Sequence, residues 1–404
     1  MRPSAGRPWP TRAFASIVFA RTAGPLGLAE RLFAVNDTVA LPLQRRYRIV
    51  GLWLFAVAAM VFVMVVIGGL TRLTESGLSM VEWRPVTGWL PPLSEEAWQE
   101  TFSAYRATPE YQKVNAGMSL AEFKGIFWLE YIHRLWGRLI GLAFAVPLVF
   151  FIVRGWLDRR VAPQLMLLFV LGGLQGALGW YMVASGLIDR PDVSQYRLVA
   201  HFAAALLIYV ALLWVALGLV QRTPPWNPSR GLGRGILALG ALVVVTMLSG
   251  GFVAGTDAGY AYNSFPLMDG QLVPDGLLSM SPAYLNVFEN ITTVQFTHRV
   301  LAMTTLLAVI AFWILTRRRR LPARARLAVH GVLVAVLAQV SLGISTLVLV
   351  MPIALAALHQ AVGVILLTMV VWAAFELRPL AERAAAPKVA YGSGSAARPG
   401  LGAG

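Results

Sequence analysis

The chain has five histidines and no cysteine. Four of them, His133, His201, His298 and His359, fall near the start of long apolar stretches, two in each half of the sequence. His133 and His298 lie 165 residues apart, and each is followed by arginine. His201 and His359 lie 158 apart, with Trp214 and Trp372 at the matching distance beyond them. Ionisable or ligating groups inside membrane spans are rare and usually functional. Two imidazoles on neighbouring helices at equal depth form the axial pair that six-coordinate haem iron needs, and helix bundles supply such sites. Singly, each would read as an interfacial histidine; four at repeat-equivalent positions favour haem. A zinc or copper ion would want more than two ligands in one place. The absence of cysteine excludes disulfides, Fe–S clusters and thiolate-ligated haem. The fifth histidine, His330, sits beside Arg324 and Arg326 without a repeat partner and reads as structural.

The charged neighbours extend the pattern. Arg134 and Arg299 directly follow candidate ligands, and Arg197 precedes His201 by one helical turn. Arginine pairs with carboxylates in bidentate fashion, so these three are candidate partners for haem propionates; snorkelling to the interface is the competing reading. Glu130 lies three residues before His133, on the same helix face, whereas the matching residue before His298 is Gln295. A carboxyl group beside a haem can act as acid, base or charge stabiliser. The difference points to chemistry at the N-terminal site and haem-mediated electron transfer at the C-terminal one. An exposed interfacial glutamate is the plainer alternative.

These residues must be held by membrane helices. Of the 404 residues, 57% are hydrophobic and only 13% charged, too few charges to keep a soluble surface wet and too apolar for disorder. Eight spans are predicted: Ile49–Thr71, Phe127–Val153, Pro163–Leu187, Leu198–Val220, Gly235–Gly255, His298–Thr316, Leu327–Val350 and Pro352–Phe375. Pro352 marks a turn inside one long uncharged run. With the N-terminus cytoplasmic, inner segments carry 24 of the 34 Lys and Arg residues and outer loops 7. Both termini are therefore expected on the cytoplasmic or matrix side. The net charge of +15 then reflects topology, not nucleic-acid binding.

The halves are duplicated. Gly68-Gly69 with Thr74-Glu75-Ser76-Gly77 matches Gly250-Gly251 with Thr256-Asp257-Ala258-Gly259, at an offset of 182. Gln175 with Leu178-Gly179 matches Gln339 with Leu342-Gly343, at an offset of 164. The expected fold is thus all-α: a polytopic membrane protein whose eight transmembrane helices form two pseudo-symmetric four-helix bundles. Residues 1–48 read as a basic inner tail, with transit-peptide and signal-like readings of the run Ala13–Ala20 left open. Residues 49–220 form the N-terminal half, with its outer loop at 72–126. Residues 221–234 are an inner linker, 235–376 the C-terminal half and 377–404 a disordered tail. In the outer loop, Trp83, Trp89, Trp98, Phe102, Tyr105, Tyr111, Leu120 and Phe123 read either as short amphipathic helices capping the N-terminal site or as an aromatic interfacial belt.

The residues resemble the haem A synthase family. The resemblance is carried by Gly68-Gly69-Leu70-Thr71-Arg72-Leu73-Thr74-Glu75-Ser76-Gly77-Leu78-Ser79, Glu130-Tyr131-Ile132-His133-Arg134, Ser194-Gln195-Tyr196-Arg197-Leu198-Val199-Ala200-His201, Gln295-Phe296-Thr297-His298-Arg299 and Leu358-His359-Gln360. It runs from about Arg46 to Phe375. It implies oxidation of the C8 methyl group of haem O to a formyl group, giving haem A for terminal oxidases. It implies His133 and His201 as ligands of the substrate haem, His298 and His359 as ligands of a resident haem b, and a catalytic Glu130. The cysteine-free chain is similar to the alphaproteobacterial and mitochondrial branch, so a bacterial or mitochondrial inner membrane is expected. Contact with the farnesyltransferase that makes haem O is suggested by the pathway, and no motif shows it. The electron donor and any homo-oligomer stay open. Two other classes compete: a di-haem b electron-transfer subunit, and a secondary transporter suggested by the repeat.

Overall fold

A backbone crossing lipid must satisfy its own hydrogen bonds, which is why the long uncharged runs fold as helices. The computed structural model describes residues 42–82, 88–186, 193–221 and 228–378. Eight helices in it are long and apolar enough to span a membrane. They are α1 (Leu43–Leu73), α2 (Leu120–Val153), α3 (Val161–Gly186), α4 (Gln195–Val220), α5 (Arg230–Gly255), α6 (Ile291–Arg317), α7 (Ala323–Val348) and α8 (Ile353–Leu377). Among the described residues there is no strand, only an isolated bridge between Met268 and Gln271. The chain is an all-α polytopic membrane protein, as its hydropathy predicts. Trp83, most of the N-terminal tail, the middle of the inner linker and nearly all of the C-terminal tail lie outside the described residues.

Seven of the eight helices begin earlier than the charge-free runs suggest, and polar caps start two of them. α2 starts at Leu120, where Ser119 and Glu122 close a capping box. The Glu122 amide donates to Ser119 Oγ at 3.3 Å and the Ser119 amide donates to Glu122 Oε2 at 2.8 Å. α6 starts at Ile291, and Thr293 N donates to Asn290 Oδ1 at 3.2 Å. His133 and His298 therefore sit thirteen and seven residues inside their helices, not at the first turn. The turn at Pro352 is present: Val350 and Met351 take φ values of 58° and 59°, and Pro352 caps α8.

The helices interlock through repeat-equivalent contacts. A Cβ added at Gly69 on α1 would collide with Gln360 on α8, and Gln360 Nε2 donates to Val65 O at 2.9 Å. A Cβ at Gly251 on α5 would approach Val199 at 3.0 Å and Phe202 at 3.7 Å, both on α4. Gly69 and Gly251 are repeat partners, as are Gln360 and Phe202. The first helix of each half thus lies against the fourth helix of the other, in keeping with the repeat. Tyr209 and Thr368 add a 2.8 Å hydrogen bond between α4 and α8. Within the N-terminal half, Trp53 Nε1 donates to Ala143 O at 2.7 Å and Trp136 Nε1 to Met60 O at 2.9 Å, joining α1 to α2.

The loop before α2 contains the helices Glu95–Arg106 and Pro109–Lys113. Trp98, Phe102 and Tyr105 are buried against Phe123, Phe127 and Tyr131 of α2. Tyr105 stacks on Phe123 with ring centroids 5.0 Å apart. Burial pushes the Tyr105 phenol up to about 12, so it stays a neutral hydroxyl, accepting from Asn115 Nδ2 at 2.8 Å. These rings form a packed core in place of a lipid-facing belt.

Candidate functional site

Each of the four histidines rests on a glycine of the preceding helix. A Cβ at Gly68 (α1) would come within 3.2 Å of the His133 ring, and one at Gly179 (α3) within 3.0 Å of the His201 ring. In the C-terminal half, a Cβ at Gly250 (α5) would come within 3.0 Å of His298, and one at Gly343 (α7) within 2.8 Å of His359. Gly68 and Gly250 are repeat partners, and so are Gly179 and Gly343. A side chain at any of these four positions would push the imidazole out of its place. His133 and His201 lie within electrostatic reach of each other, as do His298 and His359. The structure thus groups the histidines as one pair per half.

The imidazoles have different partners in the two halves. Gln175 Nε2 approaches His201 Nδ1 at 3.2 Å and donates to the His201 carbonyl at 2.9 Å. Its repeat partner Gln339 places Nε2 3.3 Å from His359 Nε2, and the Gln339 backbone carbonyl lies 3.1 Å from His359 Nδ1. Ser249 Oγ lies 2.8 Å from His298 Nδ1. Gln175 Oε1 and Gln339 Oε1 are both buried without a hydrogen-bond partner. These glutamines stand out in the sequence only as repeat matches; their role depends on helix packing.

Glu130 is buried and fully engaged. Its Oε1 accepts from Arg134 Nε at 3.0 Å and Nη2 at 2.5 Å. Its Oε2 accepts from Ser79 Oγ and from the Met80 amide, both at 2.7 Å. Arg134 also donates to the carbonyls of Met80 at 2.8 Å and Glu82 at 3.0 Å. The other half repeats this clamp. Arg299 donates to Gln295 Oε1 at 2.9 Å and to the carbonyls of Tyr262 and Ser264, each at 2.8 Å. Tyr262 and Ser264 are the repeat partners of Met80 and Glu82. Gln295 Nε2 donates to Ala258 O at 2.6 Å. Both arginines therefore fasten the loop that follows the first helix of their half. Of the donors expected to face propionates, Arg299 Nε is buried without a partner. Arg197, whose repeat position holds Leu355, donates to Ser185 Oγ at 2.5 Å with its guanidinium 5.1 Å from the Tyr181 ring centre.

The donor set fits haem. Neutral imidazoles are the ligands that haem iron takes from helix bundles. The four glycines leave room for the rings where any Cβ would crowd them. Among the described residues, no three His, Asp or Glu side chains gather as a site for a bare metal ion.

Comparison with known proteins gives the family of the chain. Residues 51–371 match the model of the family COX15-CtaA, described as cytochrome oxidase assembly protein. "Heme A synthase" of Nitrosospira multiformis is 52% identical over 338 residues, covering 81% of this chain and 93% of that protein. "Heme A synthase" of Parvibaculum lavamentivorans is 49% identical over 348 residues, covering 86% of this chain and 98% of that protein. "Heme A synthase COX15" of Bos taurus is 45% identical over 352 residues, covering 85% of each chain.

Proposed function

The chain belongs to the COX15-CtaA family of cytochrome oxidase assembly proteins, and on that footing we propose that it acts as a haem A synthase, an oxidoreductase converting the C8 methyl group of haem O to the formyl group of haem A. The observation that carries this reading is the repeated seating of four imidazoles on four glycines, one pair per half. A di-haem b electron-transfer subunit finds no support, since the relatives compared carry the synthase name.

In this reading His133 and His201 hold the substrate haem and His298 and His359 a resident haem b. When bound, the resident haem would supply an electron relay for the oxidation. Methyl to formyl is a four-electron change, taken in two steps of two electrons each. Glu130, one turn from His133, is the carboxylate available to take protons or to balance positive charge developing near the C8 carbon. Ser79, Met80 and Arg134 orient it. Arg197, absent from the C-terminal half, is the candidate propionate partner of the substrate, and Arg299 Nε its counterpart for haem b. The duplication supports two four-helix halves, and the distribution of Lys and Arg supports both termini on the inner side of a bacterial inner membrane. The haem O farnesyltransferase and an electron donor are the partners this chemistry requires.

Ligand variants in the full chain test the assignment. His298→Ala is expected to lose haem b and all conversion. His133→Ala is expected to keep haem b and lose conversion. The reverse allocation of haem b would overturn the reading.

A further inference from the structure

Two consecutive glycines near the C-terminal end of α1 receive side chains from two different helices. Gly68 faces α2, where a Cβ would come within 3.2 Å of the His133 ring. Gly69 faces α8, where the Gln360 amide fills the space a Cβ would need. Gln360 Nε2 donates to Val65 O at 2.9 Å. Without a side chain at Gly69 the amide can lie directly on the α1 backbone. Gln360 directly follows His359, whose own ring rests on Gly343 of α7. The contact path between the His359 and His133 imidazoles therefore runs through two pairs of consecutive residues, His359-Gln360 and Gly69-Gly68.

The repeat supplies a second path and a contrast. Gly250 faces the His298 ring, and Gly251 faces Val199 and Phe202, the latter being the residue after His201. This path crosses between the halves on apolar carbon, with Phe202 3.7 Å from a Cβ at Gly251. The Gln360 path crosses on a hydrogen bond to backbone. Apolar surfaces can slip past one another, whereas a hydrogen bond fixes distance and direction together. The hydrogen bond between Tyr209 and Thr368 also ties α8 to the N-terminal half, but it meets neither glycine pair.

We propose that Gln360 is a positioning residue that couples the two histidine pairs: it holds the Gly68 seat of His133 against the helix that carries His359, so that a porphyrin entering one pair turns an imidazole of the other. This rests on the allocation proposed above, in which His359 serves haem b and His133 the substrate. Close-packed contacts pass on small displacements instead of absorbing them. Coupling of this kind is reciprocal. An electron relay tied in this way registers whether its substrate is in place.

The test uses the full chain, purified in detergent with ferric haem b bound. The probe is zinc protoporphyrin, a closed-shell porphyrin that takes one axial imidazole and gives no electron paramagnetic resonance signal. The low-spin signal of ferric haem b then reports the planes of its own two imidazoles. In the parent, adding the probe should shift the low-field g value of haem b. In Gln360→Leu, which keeps the bulk and loses the amide, the g value should stay fixed while haem b content matches the parent. Gly69→Ala crowds the amide from the other side and should also abolish the shift; it decides alone if Gln360→Leu fails to hold haem b. Thr368→Val, which removes the other hydrogen bond to the N-terminal half, should keep the shift. A shift in Gln360→Leu equal to the parent's, or no shift in a parent that binds the probe through His133, would overturn the coupling. If His133→Ala binds the probe as tightly as the parent, the allocation of the pairs fails, and the coupling with it.

Discussion

Glu130 shows how far residue identity can be read and where packing takes over. Its spacing from His133 and its replacement by Gln295 are visible in the chain. That both residues serve the same clamp, each accepting from the arginine one turn later, is visible only once the loops are placed. The asymmetry therefore isolates charge from architecture. Glu130→Gln is expected to abolish haem A formation while both haems remain bound, read by extracting and separating the pigments. An amide nitrogen facing the Met80 N–H would cost about 1–3 kcal/mol, seen as a lower melting temperature. Loss of both haems would instead make Glu130 purely architectural. The histidines were legible because the residue type is rare and recurs at equivalent positions. Their seats were not, since a glycine reveals its partner only across a helix interface. Gly343→Val places branched carbon where a single Cβ already lies 2.8 Å from His359. It should lower haem b per chain severalfold, by the pyridine haemochrome spectrum, with the protein still inserted in the membrane.

At the scale of elements, all eight helices follow from hydropathy, while their starts do not. Charge-free runs stop at the first polar residue, whereas Ser119 and Asn290 begin helices through side-chain hydrogen bonds that hydropathy does not weigh. This moves His133 and His298 away from the helix ends. The aromatic loop carried two readings in the sequence, and the burial of Trp98, Phe102 and Tyr105 against α2 decides for a packed cap. Phe123 is the fully buried centre of that cap. Phe123→Ala should cost about 3–5 kcal/mol locally. Limited proteolysis should then cut within residues 88–119 many-fold faster, with the C-terminal half as resistant as in the parent. Equal cleavage of both halves would show that the cap is not an independent unit.

On the scale of the whole molecule, duplication is the organising fact. It is written in the sequence as four offsets, and it reappears as equivalent glycine contacts, equivalent arginine clamps and the left-handed residues Glu75 and Asp257 at the same turn. What duplication cannot convey is division of labour. The halves do depart from symmetry, at Glu130 against Gln295 and at Arg197 against Leu355. Arg72 and Asp257, paired at 2.9 Å, are another departure, since their repeat partners are Ala254 and Glu75. In the proposed function one half retains a haem and the other transforms one. The most direct measurement is pigment analysis of the chain purified from cells that also supply haem O. The expected result is haem b together with haem O, haem A or a hydroxylated intermediate. Haem b alone, with supplied haem O unconverted, or no haem at all, would contradict it.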